Sequence, residues 1–140
     1  MAKMSQEAQD KFLSKTRYGI LTTLAEDGSP VSVPVWFNWD GKAVRIFTGV
    51  KSAKVKRIWR DPRVTLLVAN HIDEGEAWVA FDGEAKIRPE GAVELLEDLA
   101  AKYWDLSDPK RRSTVDEWKS EPNELCVIEL VPSKIRSQKD

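Results

Sequence analysis

The dipeptide Asp40-Gly41 constrains this chain more than any other feature, because it stands between two runs rich in apolar and β-branched residues, 30–39 and 42–48. Asp-Gly in that setting is the strongest short-range hairpin signal, since the glycine accepts the positive φ of a tight turn. Glu26-Asp27-Gly28-Ser29 repeats the device after Tyr18-Gly19-Ile20-Leu21-Thr22-Thr23-Leu24. The chain from residue 17 to residue 48 therefore predicts three antiparallel strands joined by turns. Pro34 lacks an N–H for the ladder and marks part of the second strand as an edge or bulge.

The rest of the chain extends this pattern. Ser5 caps a predicted helix over 6–14, and Ser52 begins another over 52–60, which Asp61-Pro62 stops. Residues 63–69 and 76–87 read as a fourth and a fifth strand, the latter bulged at Gly83. Residues 92–104 carry Val93, Leu95, Leu96, Leu99, Ala100 and Tyr103 at helical spacing. Residues 106–123 read as polar and irregular, and 125–131 as a last strand ended by Pro132. About six short strands with helical covers make a mainly β fold, a small antiparallel barrel spanning residues 1–140 as a single domain.

Composition narrows the chemistry. With one cysteine, Cys126, and one histidine, His71, the chain offers no internal disulfide and no His/Cys metal cluster. Cys126 lies in an apolar strand and reads as core, and His71 reads as a surface-loop residue. Twenty-two Lys+Arg against 23 Asp+Glu give a net charge of −1, which argues against a polyelectrolyte binder. A nucleic-acid surface built from Lys51, Lys54, Lys56, Arg57 and Arg60 with stacking tryptophans is disfavoured, because acidic residues are spread through the rest of the chain. The sequence has no long apolar run and no signal-peptide core at its start, so a soluble cytoplasmic protein is expected.

One segment carries an electrostatic oddity. Thr48-Gly49-Val50-Lys51-Ser52-Ala53-Lys54 joins a strand end to a helix start, and Lys51 and Lys54 flank the first turn. A helix N-terminus already bears partial positive charge, so two lysines there are unfavourable unless an anion sits among them. A phosphate would meet free N–H groups, two hydroxyls and two ammonium groups at one point. Solvated lysines are the plain alternative. Upstream, Pro34-Val35-Trp36-Phe37-Asn38-Trp39 places Val35, Phe37 and Trp39 on one face of a strand and Trp36 on the other. That stretch suits either a wall for a planar ring or barrel core and dimer contact.

The succession Arg17 to Leu24, Asp27-Gly28-Ser29-Pro30, Pro34-Val35-Trp36-Phe37, Thr48 with Ser52-Ala53-Lys54, and Arg60-Asp61-Pro62-Arg63-Val64 resembles the pyridoxamine 5′-phosphate oxidase-like split-barrel family. The resemblance implies a split barrel and a homodimer with FMN, or alternatively the deazaflavin coenzyme F-420, at the subunit interface. It implies phosphate contacts from Thr48, Ser52 and Lys54, with Lys51 beside them, and a ring wall from Val35, Trp36 and Phe37. Arg57, with Lys56, Arg60 or Arg63, would meet the polyanionic tail of F-420. Three departures tell against vitamin B6 oxidase activity. Ala53 replaces the oxidase arginine, Ser32 and Phe37 stand where an arginine and a lysine are expected, and Lys134-Ile135-Arg136-Ser137-Gln138 has no arginine-rich character.

The sequence contains no acid/base pair or nucleophile–base arrangement, so no catalytic side chain is assigned. Such a fold leaves the hydride chemistry to its cofactor. The expected function is a flavin-type oxidoreductase moving a hydride to or from a small planar electrophile. The alternative is a non-catalytic domain that binds or senses a flavin or a haem. Lys110-Arg111-Arg112 reads as solvated loop, with a lid over the cofactor as its minority role.

Overall fold

The computed structural model describes residues 2–140. Twelve α-helices and β-strands follow in chain order: α1 (Gln6–Ser14), β1 (Gly19–Leu24), β2 (Pro30–Val35), β3 (Asn38–Trp39), β4 (Val44–Gly49), α2 (Ala53–Arg60), β5 (Arg63–Ala69), β6 (Ala77–Arg88), α3 (Ala92–Tyr103), α4 (Pro109–Lys119), β7 (Leu125–Leu130) and β8 (Lys134–Lys139). Every strand pairing is antiparallel, in the order β2-β1-β5-β6-β7-β4-β3, with β8 added to β6.

The barrel is split because β6 serves two sheets. Its 12 residues pair with β5 along 78–84 and with β8 along 77–82, then with β7 along 85–88. The predicted bulge at Gly83 is absent, and the β5–β6 register runs through Val64↔Gly83 unbroken. The glycine serves a close approach instead, since a Cβ there would lie 3.1 Å from Leu130 Cδ1 and 3.2 Å from the Ser133 backbone nitrogen. Period-2 alternation sends Val64, Leu66 and Val68 of β5 inward, where they meet Leu21, Phe37, Ile46, Val79, Phe81 and Ile128. Val55 and Ile58 of α2 and Leu13 of α1 close the same core.

Three further sequence expectations need correction. Residues 30–39 are not one strand, because the β1–β2 ladder ends at Gly19↔Val35. There Trp36 and Phe37 turn to different clusters, and the Tyr103 hydroxyl accepts the Phe37 N–H at 3.3 Å. The segment 106–123 is largely helix: Asp108 caps α4 by accepting the Lys110 N–H, and Pro109 opens its first turn. Residues 134–139 form an eighth strand, recruited by the edge of β6 and held where the buried Ser137 hydroxyl accepts the Met4 N–H at 3.0 Å. No helix of the described residues is long and apolar enough to cross a membrane.

The turn that opened the sequence argument is held by its aspartate. Asp40 Oδ1 accepts N–H bonds from Lys42 at 2.8 Å and Ala43 at 2.7 Å, Oδ2 accepts from Arg45, and Gly41 takes φ +91°. The Ala43 N–H and then the Arg45 guanidinium hold the carboxyl down to about 2. A carboxyl lowered in the fold contributes stability that is complete above its unfolded value, about 3.9, and lost as pH falls through the folded one. Asp40→Asn is expected to lower the melting midpoint modestly at pH 7. The gap between variant and native protein then closes as the pH drops from about 4 toward about 2, readable by thermal melts across that range.

Candidate functional site

The strand-to-helix joint between β4 and α2 is built from short-range hydrogen bonds. The Ser52 N–H donates to Gly49 O at 3.1 Å, and the Val50 N–H donates to Glu124 O at 2.9 Å, tying the turn to the approach of β7. The Ser52 hydroxyl caps α2 by accepting the Val55 N–H at 3.4 Å, and it accepts the Thr48 hydroxyl at 3.3 Å. Thr48 itself is buried. The predicted pair of hydroxyls therefore does converge at the helix start.

Beside this joint lies a cup of about 240 Å³ lined by Tyr18, Pro34, Val35, Trp36, Ile46, Phe47, Lys54 and Trp118. Trp36 anchors it: its ring stacks on Tyr103 at 5.2 Å and 13°, and meets Trp104 edge-on at 4.8 Å and Phe47 at 6.0 Å. These are the offset and edge-to-face geometries that the quadrupoles of aromatic rings favour. Behind them, Leu96 and Ala100 of α3 and Val115 of α4 form a second buried cluster, with Phe47, Leu106 and Leu125 against it.

Lys54 is the one charged group in the cup lining. It is half-buried and has no carboxylate within ion-pair distance among the described residues. Burial, and next the nearby Arg57, push its ammonium below the ordinary lysine value. Arg57 points its Nε to the buried Thr23 hydroxyl at 2.6 Å and does not line the cup. Lys51 stands exposed at the turn. Among the described residues, the run of cations along α2 makes no ion pair with an acidic side chain, and Asp61 at its end binds Arg63. An anion is the group such a site lacks.

Of the residues named from sequence, Val35, Trp36 and Lys54 meet in the cup, and Thr48 and Ser52 meet each other at the strand-to-helix joint that leads into α2. Phe37 does not join them; its side chain is 1% exposed and lies in the main core, opposite Gly19. Pro34, from the stretch read as a ring wall, also lines the cup, whereas Tyr18, Ile46, Phe47 and Trp118 were not named from sequence as lining residues. Phe47 was findable, because it lies one residue before Thr48 on a strand already assigned. Trp118 lies on α4, a segment whose polar sequence carries no helical apolar stripe.

The remaining singled-out groups lie elsewhere. Cys126 is buried on β7 opposite Thr48, and burial pushes its thiol up. His71 is exposed in the turn before β6, with Nδ1 3.7 Å from Glu74. The Glu74 carboxylate is already gripped by both terminal nitrogens of Arg17, at 2.6 and 2.9 Å.

The family profile described as pyridoxamine 5′-phosphate oxidase matches residues 5–139. The chain belongs to that family. At family level its character is that of a flavin-binding, oxidoreductase-type split barrel. Among solved structures, a conserved hypothetical protein from Mycobacterium tuberculosis is 27% identical with a TM-score of 0.74, over 97% of this chain and 85% of the other. A protein described as an F420 reductase is 23% identical with a TM-score of 0.73, over 90% of this chain and 94% of its own. An FAD-binding protein from Mesorhizobium loti is 22% identical with a TM-score of 0.67, over 99% and 95%. The last two likenesses speak to the fold. No curated protein matches the chain.

Proposed function

We propose that this protein binds a phosphate-bearing flavin or deazaflavin, with the phosphate at the Ser52 turn and the ring toward the aromatic cup, and serves as a flavin-type oxidoreductase. The observation that carries the reading is Lys54: a half-buried ammonium without a carboxylate partner, set between a helix N-cap and aromatic walls. Ser52 and Thr48 offer hydroxyls, the first turn of α2 offers N–H groups, and Lys51 adds charge. Val35, Trp36 and Phe47 exclude water from the ring side. FMN is the favoured ligand and coenzyme F-420 the alternative, whose longer anionic tail would run toward Lys56, Arg57 and Arg60 on α2. A bound flavin or deazaflavin supplies the hydride chemistry, and the side chains here bind, orient and desolvate. The substrate class is a small planar electrophile, and the working unit is a homodimer with the cofactor between subunits.

The test is direct titration of the purified protein with FMN and with coenzyme F-420, read by ligand fluorescence. Saturable binding of one of them at micromolar concentration supports the reading. Absence of binding by both removes it and leaves only the barrel.

A further inference from the structure

The cup is walled on three sides by the barrel: Pro34 and Val35 end β2, Trp36 follows it, and Ile46 and Phe47 come from β4. The lining is completed by Tyr18 ahead of β1, Lys54 of α2 and one aromatic side chain from the helical layer, Trp118 of α4. That residue is 38% exposed although it touches aromatic neighbours on its inner side. Its ring lies 6.2 Å from Phe47, 6.5 Å from Trp36 and 5.6 Å from Trp104.

The helix that carries it is otherwise polar and would be a poor helix alone, yet it is fastened at several points. Val115, one turn before Trp118, is fully buried. Glu97 Oε1 on α3 accepts from Lys119 Nζ at 2.9 Å and from Arg112 Nη2 at 2.9 Å, and Arg112 also binds Asp116 at 2.6 Å. The anchors at 112, 115 and 119 fasten the helix segment that carries Trp118, and its indole lines the cup. An indole face kept partly in water beside an apolar cup gains most when a planar group covers it.

We infer that Trp118 is a specificity-determining residue of this site, its ring forming the stacking wall for the planar part of the ligand. The inference rests on the proposed cofactor site and goes beyond it by dividing the work. Lys54 and Ser52 hold the anion, which many phosphate compounds share, whereas Trp118 rewards the flat ring that only some of them carry. Stacking on an aromatic side chain tolerates different rings, so the same wall suits a flavin or a deazaflavin.

The experiment compares native protein, Trp118→Leu and Trp118→Phe in three measurements: affinity for FMN and for coenzyme F-420 by fluorescence, the quenching of ligand fluorescence at saturation, and competition by inorganic phosphate. Melting curves accompany each variant. Trp118→Leu is expected to weaken binding of whichever ring ligand the native protein takes on the order of tenfold and to reduce the quenching. The phosphate inhibition constant should stay unchanged, and Trp118→Phe should recover most of the affinity. If Trp118→Leu binds the ring ligand as tightly as native protein, the inference is overturned while the cofactor site stands. Parallel weakening of phosphate and ring ligand, or failure of phenylalanine to restore affinity, also overturns it by showing a merely structural role. Failure of the native protein to bind either ring ligand overturns the cofactor reading and this inference with it.

Discussion

Phe37→Ala is expected to remove about 3–5 kcal/mol of folding stability and to lower the melting midpoint by roughly 10–20 °C. Phe37 is 1% exposed in the centre of the barrel, and the Gly19 backbone approaches so closely that a Cβ there would stand 3.1 Å from the Phe37 ring. Truncation therefore leaves a cavity beneath a backbone that cannot collapse far, between strands locked by ladders on both sides. Phe37→Leu should cost much less, because it keeps most of the volume. That variant also separates core from site: its affinity for FMN or F-420 should match the native protein's. Lost affinity with an unchanged melting curve would return Phe37 to the ring wall and refute its assignment to the core.

Lys54→Ala is expected to weaken binding of the phosphate-bearing cofactor by about 10–100-fold, the equivalent of one charge-assisted contact in a partly dry site. Stability should hold or rise slightly, since burial already penalises the charged ammonium in the free protein. The pH dependence follows from the same shift. Anion binding needs the protonated amine, and burial followed by Arg57 lowers its pKa below the ordinary value, about 10.4. Affinity should thus decline on the alkaline side at lower pH than an ordinary lysine would allow. Lys54→Ala should abolish that limb of the profile. Isothermal titration across neutral to alkaline pH reads both effects, and a variant with undiminished affinity would move the phosphate away from the Ser52 turn.

What could be read from the bare chain was whatever short segments decide by themselves. Asp40-Gly41 marked its turn because aspartate can collect the backbone N–H groups of the next residues and glycine can take positive φ. Ser5 and Ser52 marked their helices because a hydroxyl at that position satisfies an N–H the helix cannot. The apolar, β-branched run 63–69 marked a strand, with bounds that the structure reproduces. The lysines around Ser52 were legible for a related reason: charge at a helix start is a local quantity.

Other parts had no local signature strong enough to read. The helix over 109–119 has a single fully buried residue, Val115, so no apolar stripe announces it. Its one sequence cue was Asp108-Pro109, which serves equally as a loop. The strand over 134–139 is polar along most of its length and exists because β6 offers an edge with unpaired backbone groups. Phe37 and Trp36 illustrate the same point within the site. A strand places neighbours on opposite faces, but it does not say which face meets the core and which meets solvent or ligand.

The sequence by itself determined most of the short strands, their turns and the cationic, hydroxyl-bearing start of α2, because each depends on residues only a few positions apart. Tertiary structure decided that Val35, Trp36, Phe47, Lys54 and Trp118 share one cup while Phe37 and Arg57 leave it. Those placements come from pairings between segments tens of residues apart, from β6 serving two sheets, and from α4 fastened on α3 through Glu97. Contacts of that range select one arrangement by the free energy of the whole packed core, a sum that no window of sequence contains.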